Sequence, residues 1–89
     1  MSKHSSHEDV RKRLKRAHGH LNSVIDMIEK ERSCTDIAQQ LHAVEKAISN
    51  AKKLLIHDHI DHCLDNAVID GALSSDDVLN EFKQITKYL

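Results

Sequence analysis

The chain has no proline, no tryptophan and two glycines among its 89 residues, and its aromatic side chains are Phe82 and Tyr88. Without proline and glycine punctuation, the closely spaced turns of an all-β fold have little to form them. Without aromatic and β-branched runs, a sheet has little to bury. A core must therefore come from Leu, Ile, Val and Ala, which suits packed helices. No stretch approaches the roughly 18 apolar residues of a membrane-spanning helix, and the N-terminus lacks the apolar segment of a signal peptide. A cytoplasmic location without a membrane partner is expected. No phosphate-cradling loop and no nucleophile–base–orienter set is present, so neither an enzyme nor a small-molecule substrate is expected. In a reducing compartment, Cys34 and Cys63 are expected to be ligands or reactive thiols rather than a staple.

What is present is heptad-like periodicity. Val10, Leu14, Ala17, Leu21, Val24 and Ile28 alternate steps of four and three, which puts them on one face of a helix of about six turns. Ser5 or Ser6, followed by Glu8 and Asp9, marks its start, acidic groups being favoured near the positive end of the helix dipole. A polar connection over 29–33 follows. Ile37, Leu41, Val44, Ile48, Ala51 and Leu55 form a second stripe, widened by Ala38, Ala43, Ala47 and Leu54. Ser33 or Thr35 is placed to cap this helix, which continues through His59 and Cys63 to near Ala67 and is closed by Gly71. Ser74 to Asp77 cap a short third helix carrying Val78, Phe82, Ile85 and Leu89.

The expected fold is all-α: one domain over residues 1–89, with a flexible N-terminal arm over 1–8. A chain this short buries about 60–65% of its unfolded surface by itself, and the long stripes outrun what a short third helix can cover. Two copies pairing as an antiparallel four-helix-bundle dimer solve both problems.

Charge is divided along the chain. Residues 1–16 carry six Lys and Arg against two acidic residues, whereas residues 55–89 carry two lysines against seven acidic residues. The front end therefore suits a polyanion, although a basic run is by itself an ordinary solvated helix face. Arg11, Lys12, Arg13, Lys15 and Arg16 concentrate that charge within about one and a half turns.

His59 and Cys63 are four apart and leave one helix face a turn from each other. Imidazole and thiolate suit Cu(I), Zn(II), Ni(II) or Co(II) and are poor ligands for Mg or Ca. With eight histidines in the chain, such a pair also arises by chance. Cys34 adds weight. It opens the second helix, nearly 40 Å of helix away from His59, so the two cannot meet within one chain. In an antiparallel dimer, Cys34 of one copy lies beside His59 and Cys63 of the other.

Cys34, the run from Cys34 to Ala43 with Gln39 and Gln40, the spaced pair His59 and Cys63, and the Arg16 to Leu21 stretch with Gly19 together resemble the CsoR/RcnR family of metal-responsive repressors, over essentially the whole length. The resemblance implies a homotetramer built as a dimer of dimers. It implies binding of operator DNA in the apo form, and release on metal binding that allows efflux genes to be expressed. It identifies Cys34, His59 and Cys63 as metal ligands, and Arg13 and Arg16, helped by Arg11, Lys12 and Lys15, as DNA contacts. Where the family tends to carry an arginine on the second helix this chain has Glu45, leaving Lys46, Lys52 or Lys53 as substitutes. No base-reading motif is present, so shape and backbone contacts are expected to carry recognition.

The run Gln39 to Lys46 and the ending Thr86 to Leu89 resemble the nickel- and cobalt-responsive DmeR-type subgroup. His4 and His7 in the arm supply the further ligands that Ni(II) or Co(II) needs. Ser33 stands where the copper branch tends to place Tyr, and Glu81 is the candidate for that branch's glutamate on the last helix. Ni(II) or Co(II) is thus favoured, with Cu(I) as the alternative. The remaining histidines, His18, His20, His42, His57 and His62, are not expected to be ligands; His57 and His62 flank the ligand face, and His42 lies beside the second stripe. A thiol or persulfide sensor using Cys34 and Cys63 leaves His59 without a purpose. An aldehyde sensor using Cys34 and the N-terminal amine leaves Cys63 without one, and a metal buffer leaves the basic helix without one.

Overall fold

The computed structural model of the protein describes residues 6–70 and 75–89, and their side chains except at 63–70 and Ser75. It contains three helices, α1 (His7–Glu29), α2 (Cys34–Asp70) and α3 (Ser75–Thr86), with no strand among the described residues. The all-α expectation holds.

Local interactions mark both ends of α1 and the starts of α2 and α3. Glu8 and Asp9 occupy the first turn of α1, where they pair along the helix with Arg11 and with Arg13. His7, expected within an arm over residues 1–8, is instead the first residue of α1. The helix ends at a left-handed residue that is not glycine: Glu31 has φ 55°. Around it Glu31 N–H donates to Ile28 C=O (3.1 Å) and Arg32 N–H to Met27 C=O (3.0 Å), the paired bonds of a Schellman ending. Ser33 then caps α2. Its Oγ accepts from Asp36 N–H at 3.2 Å, satisfying one donor of the first turn. Asp36 is bridged in turn to Arg32 at 3.5 Å. The glycine expected to close α2, Gly71, lies outside the described residues. In α3 the first turn carries Asp76 and Asp77 and the last carries Lys83, both signs agreeing with the helix dipole.

The chain divides into two compact units. The first, Glu8–Lys52, holds most of α1 and the first half of α2. Val10, Ala17 and Val24 are buried on α1, and Val44 and Ala51 on α2, each set spaced by seven. The other half of each apolar stripe is not covered: Leu14, Leu21 and Ile28 on α1, and Leu41 and Ile48 on α2, are 39–57% exposed. The second unit contains Lys53–Leu89, that is, the second half of α2 and all of α3. Ile56 is its buried anchor at 2% exposure.

Candidate metal and nucleic-acid sites

The candidate ligands fall into two groups. His59, Cys63 and His7 belong to the unit that contains Lys53–Leu89, and Cys34 belongs to the other. Cys34 is the first residue of α2 and is an exposed free thiol. Cys63 lies on α2, four residues beyond His59, and its side chain is outside the described residues, as is His4. Among the described residues, no three His, Cys, Asp or Glu side chains gather into a metal-holding group.

His59 is the best-defined member. Its ring is about one-quarter exposed, and its Nε2 lies 2.9 Å from Oε1 of Glu81 on α3. A carboxylate accepting from one ring nitrogen fixes the orientation of the imidazole, as carboxylates do behind metal-binding histidines. Cys63, one turn along the same helix, is a soft donor by residue type. The donor chemistry therefore fits a borderline or soft transition ion. Glu81 was legible only as a glutamate on the last helix, and its register against α2 comes from the structure.

The basic run lies along the exposed side of α1, with Arg11, Lys12, Arg13, Lys15 and Arg16 all exposed. Two of its charges have internal partners. Arg11 donates to both carboxylate oxygens of Glu8, through Nε at 3.0 Å and through Nη2, and Arg13 Nε lies 3.4 Å from Asp9. The hydrogen bond from Arg11 holds the Glu8 carboxyl below the usual carboxylate range, and the same bond raises the Arg11 guanidinium. Arg13 and Arg16 also face a groove of about 230 Å³ between α1 and α2, lined further by Ala17, His20, Ala47 and Asn50. At its side, His20 Nε2 meets Gln40 Oε1 at 2.7 Å across the two helices. The sequence pointed to the arginines as contacts and to His20 and Gln40 only within the stretches that carry the family resemblance; it did not mark Asn50, and the meeting of His20 with Gln40 depends on how α1 packs against α2. His18, His42 and His57 are exposed, and His62 is half-buried.

A model of the family "Metal-sensitive transcriptional repressor" matches residues 6–88. The copper-sensing transcriptional repressor CsoR of Bacillus subtilis is 33% identical over 98% of this chain and 99% of its own length. The protein of the same name from Mycobacterium ulcerans is 41% identical over 66% of this chain, and there the match spans half of the relative. Among solved structures, the nickel-responsive transcriptional regulator InrS superposes with a TM-score of 0.84 at 27% identity, covering 100% of this chain and 99% of that one. Copper and nickel thus both appear among the similar proteins.

Proposed function

This chain belongs to the CsoR/RcnR family of metal-sensitive transcriptional repressors, and from that premise we propose that it binds operator DNA when metal-free and leaves it on binding Ni(II) or Co(II), so that efflux genes are expressed. The observation that carries the reading is the contact between His59 and Glu81, which orients a candidate ligand on the helix that also bears Cys63 and Cys34. His59 would ligate through Nδ1, with Cys63 from the next turn. Since α2 runs unbroken from Cys34 to Asp70, nearly 40 Å of helix separates Cys34 from His59. The third ligand would thus be Cys34 of a second copy. A bound ion would supply positive charge and coordinate bonds joining the two protomers. The chain's part is to present the donors, orient His59 and hold the two copies together.

The uncovered ladder of Leu14, Leu21, Ile28, Leu41 and Ile48 supports the second copy, because such a stripe in water is a surface waiting for an apolar partner. An antiparallel dimer, paired again into a tetramer, covers it and repeats the basic face of α1 around the assembly. Nickel or cobalt is favoured by His7, which shares a unit with His59, and by Ser33, which caps α2 where a copper sensor would place Tyr. The second reading is Cu(I), favoured by the copper-sensing curated relatives.

Release of a fluorescent duplex from the reduced apo-protein, titrated in turn with Ni(II), Co(II) and Cu(I), tests these readings. Release by Ni(II) or Co(II), with thiolate-to-metal absorption that weakens in a His4→Ala/His7→Ala variant, is expected. Release by Cu(I) alone replaces the nickel reading with the copper one. Release by polysulfide and by no metal overturns both in favour of a thiol sensor.

A further inference from the structure

The groove of about 230 Å³ between α1 and α2 is lined by two arginines, a histidine, an asparagine and two alanines. Arg13, Arg16 and His20 stand at i, i+3 and i+7 and so share one face of α1. Ala17 and Ala47 add methyl groups to the lining, and Asn50 lines its α2 side. Small residues in the lining leave room for a ligand between the long side chains. The volume equals that of roughly seven waters, enough for a phosphate group and some of its hydration.

His20 gives this groove a proton-linked element. Gln40 Oε1, 2.7 Å from Nε2, accepts from it, so the ring carries its hydrogen there. A neutral His20 then has a lone pair at Nδ1, whereas a protonated one has an N–H donor and a positive charge. An anion in the groove selects the protonated ring. The charged groups facing His20 from α1 are Arg13 and Arg16, with Asp9 bridged to Arg13 Nε at 3.4 Å. From α2 the groove is lined by neutral Ala47 and Asn50, and neutral Gln40 meets His20 beside it.

We propose that this groove seats one backbone phosphate of duplex DNA, held by Arg13, Arg16, His20 and Asn50, with Gln40 positioning His20. The proposal rests on the operator-binding reading and adds to it two contacts outside the basic run. The continuation of positive charge along α1 through Lys12 and Lys15 favours a phosphate that belongs to a polymer over a free ion. Contacts of this kind fix position on the duplex without reading bases, so a duplex of arbitrary sequence is a sufficient probe.

The test is fluorescence anisotropy of the full-length apo-protein with a labelled duplex of roughly 30 base pairs, at about 50 mM salt and at about pH 6 and pH 8. Wild type should bind several-fold more tightly at the lower pH. His20→Gln, which can still pair with Gln40, should fold normally by circular dichroism and lose that gain. Asn50→Ala should bind roughly three- to tenfold more weakly at both values, while His42→Ala keeps the wild-type ratio. If His20→Gln keeps the gain and Asn50→Ala binds like wild type while Arg16→Ala weakens binding, the seat is elsewhere on α1. The groove proposal then fails and the operator reading stands. No duplex binding by wild type at either pH overturns both. Inorganic phosphate, followed by ³¹P NMR at matched ionic strength, gives the last arm. Saturable binding that Asn50→Ala abolishes, with DNA affinity unchanged, overturns the proposal in favour of a free-anion site.

Discussion

The imidazole of His59 on α2 meets the carboxylate of Glu81 on α3 at 2.9 Å, so one residue joins the candidate sensor to the last helix. Removing the carboxylate charge should loosen the ring. Glu81→Gln is expected to reduce metal affinity about 10- to 100-fold, the usual cost of losing a partner behind a ligand. Competition against a chromophoric chelator measures it. Wild-type affinity in the variant would show that the pair is a surface contact with no bearing on metal.

An intersubunit site makes a complementation prediction. Cys34→Ser and Cys63→Ser should each abolish the full site. Co-refolded as an equal mixture, they should recover about a quarter of wild-type sites, because random pairing makes half the dimers mixed and each mixed dimer has one intact set. A mixture as inactive as its components would remove Cys34 of the partner from the ligand set.

The two apolar ladders should respond differently to substitution. Val24 is 1% exposed, and Val24→Ala should lower unfolding stability by about 1–3 kcal/mol through lost burial and a cavity, leaving assembly unchanged. Leu21→Lys or Ile48→Lys should instead shift the sedimentation of the protein toward the monomer. Wild type should also melt at a temperature that rises with protein concentration, as for any fold stabilised by its own association.

The pair of Glu8 with Arg11 should leave a signature in pH dependence. The folded carboxyl sits below its ordinary range. Its contribution to helix stability is therefore complete above the unfolded-state value and is lost as pH falls through the folded one. Glu8→Gln should melt earlier than wild type near neutrality and alongside it in strong acid. The same substitution releases Arg11 and should tighten salt-sensitive DNA binding, while Arg16→Ala should flatten the plot of log affinity against log salt by roughly 0.9 for each phosphate it leaves unneutralised.

The helices were legible because their signals are local. The four-and-three spacing from Val10 to Ile28, and a serine three residues before Asp36, need no tertiary information to be read, and Ser33 does cap α2. Periodicity identifies an apolar face but cannot say which half of it the same chain covers. Here the smaller Val10, Ala17 and Val24 are buried while the larger Leu14, Leu21 and Ile28 are not. Cys34, His59 and Cys63 stood out by residue type. Glu81 and Gln40 were named only through the family resemblance and Asn50 not at all, since the meetings of Glu81 with His59 and of Gln40 with His20 cross between helices and common polar residues carry no local mark of them.

The corner between α1 and α2 has a consequence for how freely this sequence can drift. Glu31 holds a left-handed backbone where glycine is the usual choice. Glycine there would relieve about 1 kcal/mol of strain, but it would also widen the unfolded ensemble by about 0.4–1 kcal/mol of entropy. The two effects nearly cancel. Glutamate and glycine are close to interchangeable at this position, so the site is nearly neutral to selection on stability, and relatives can differ there while keeping the same hairpin.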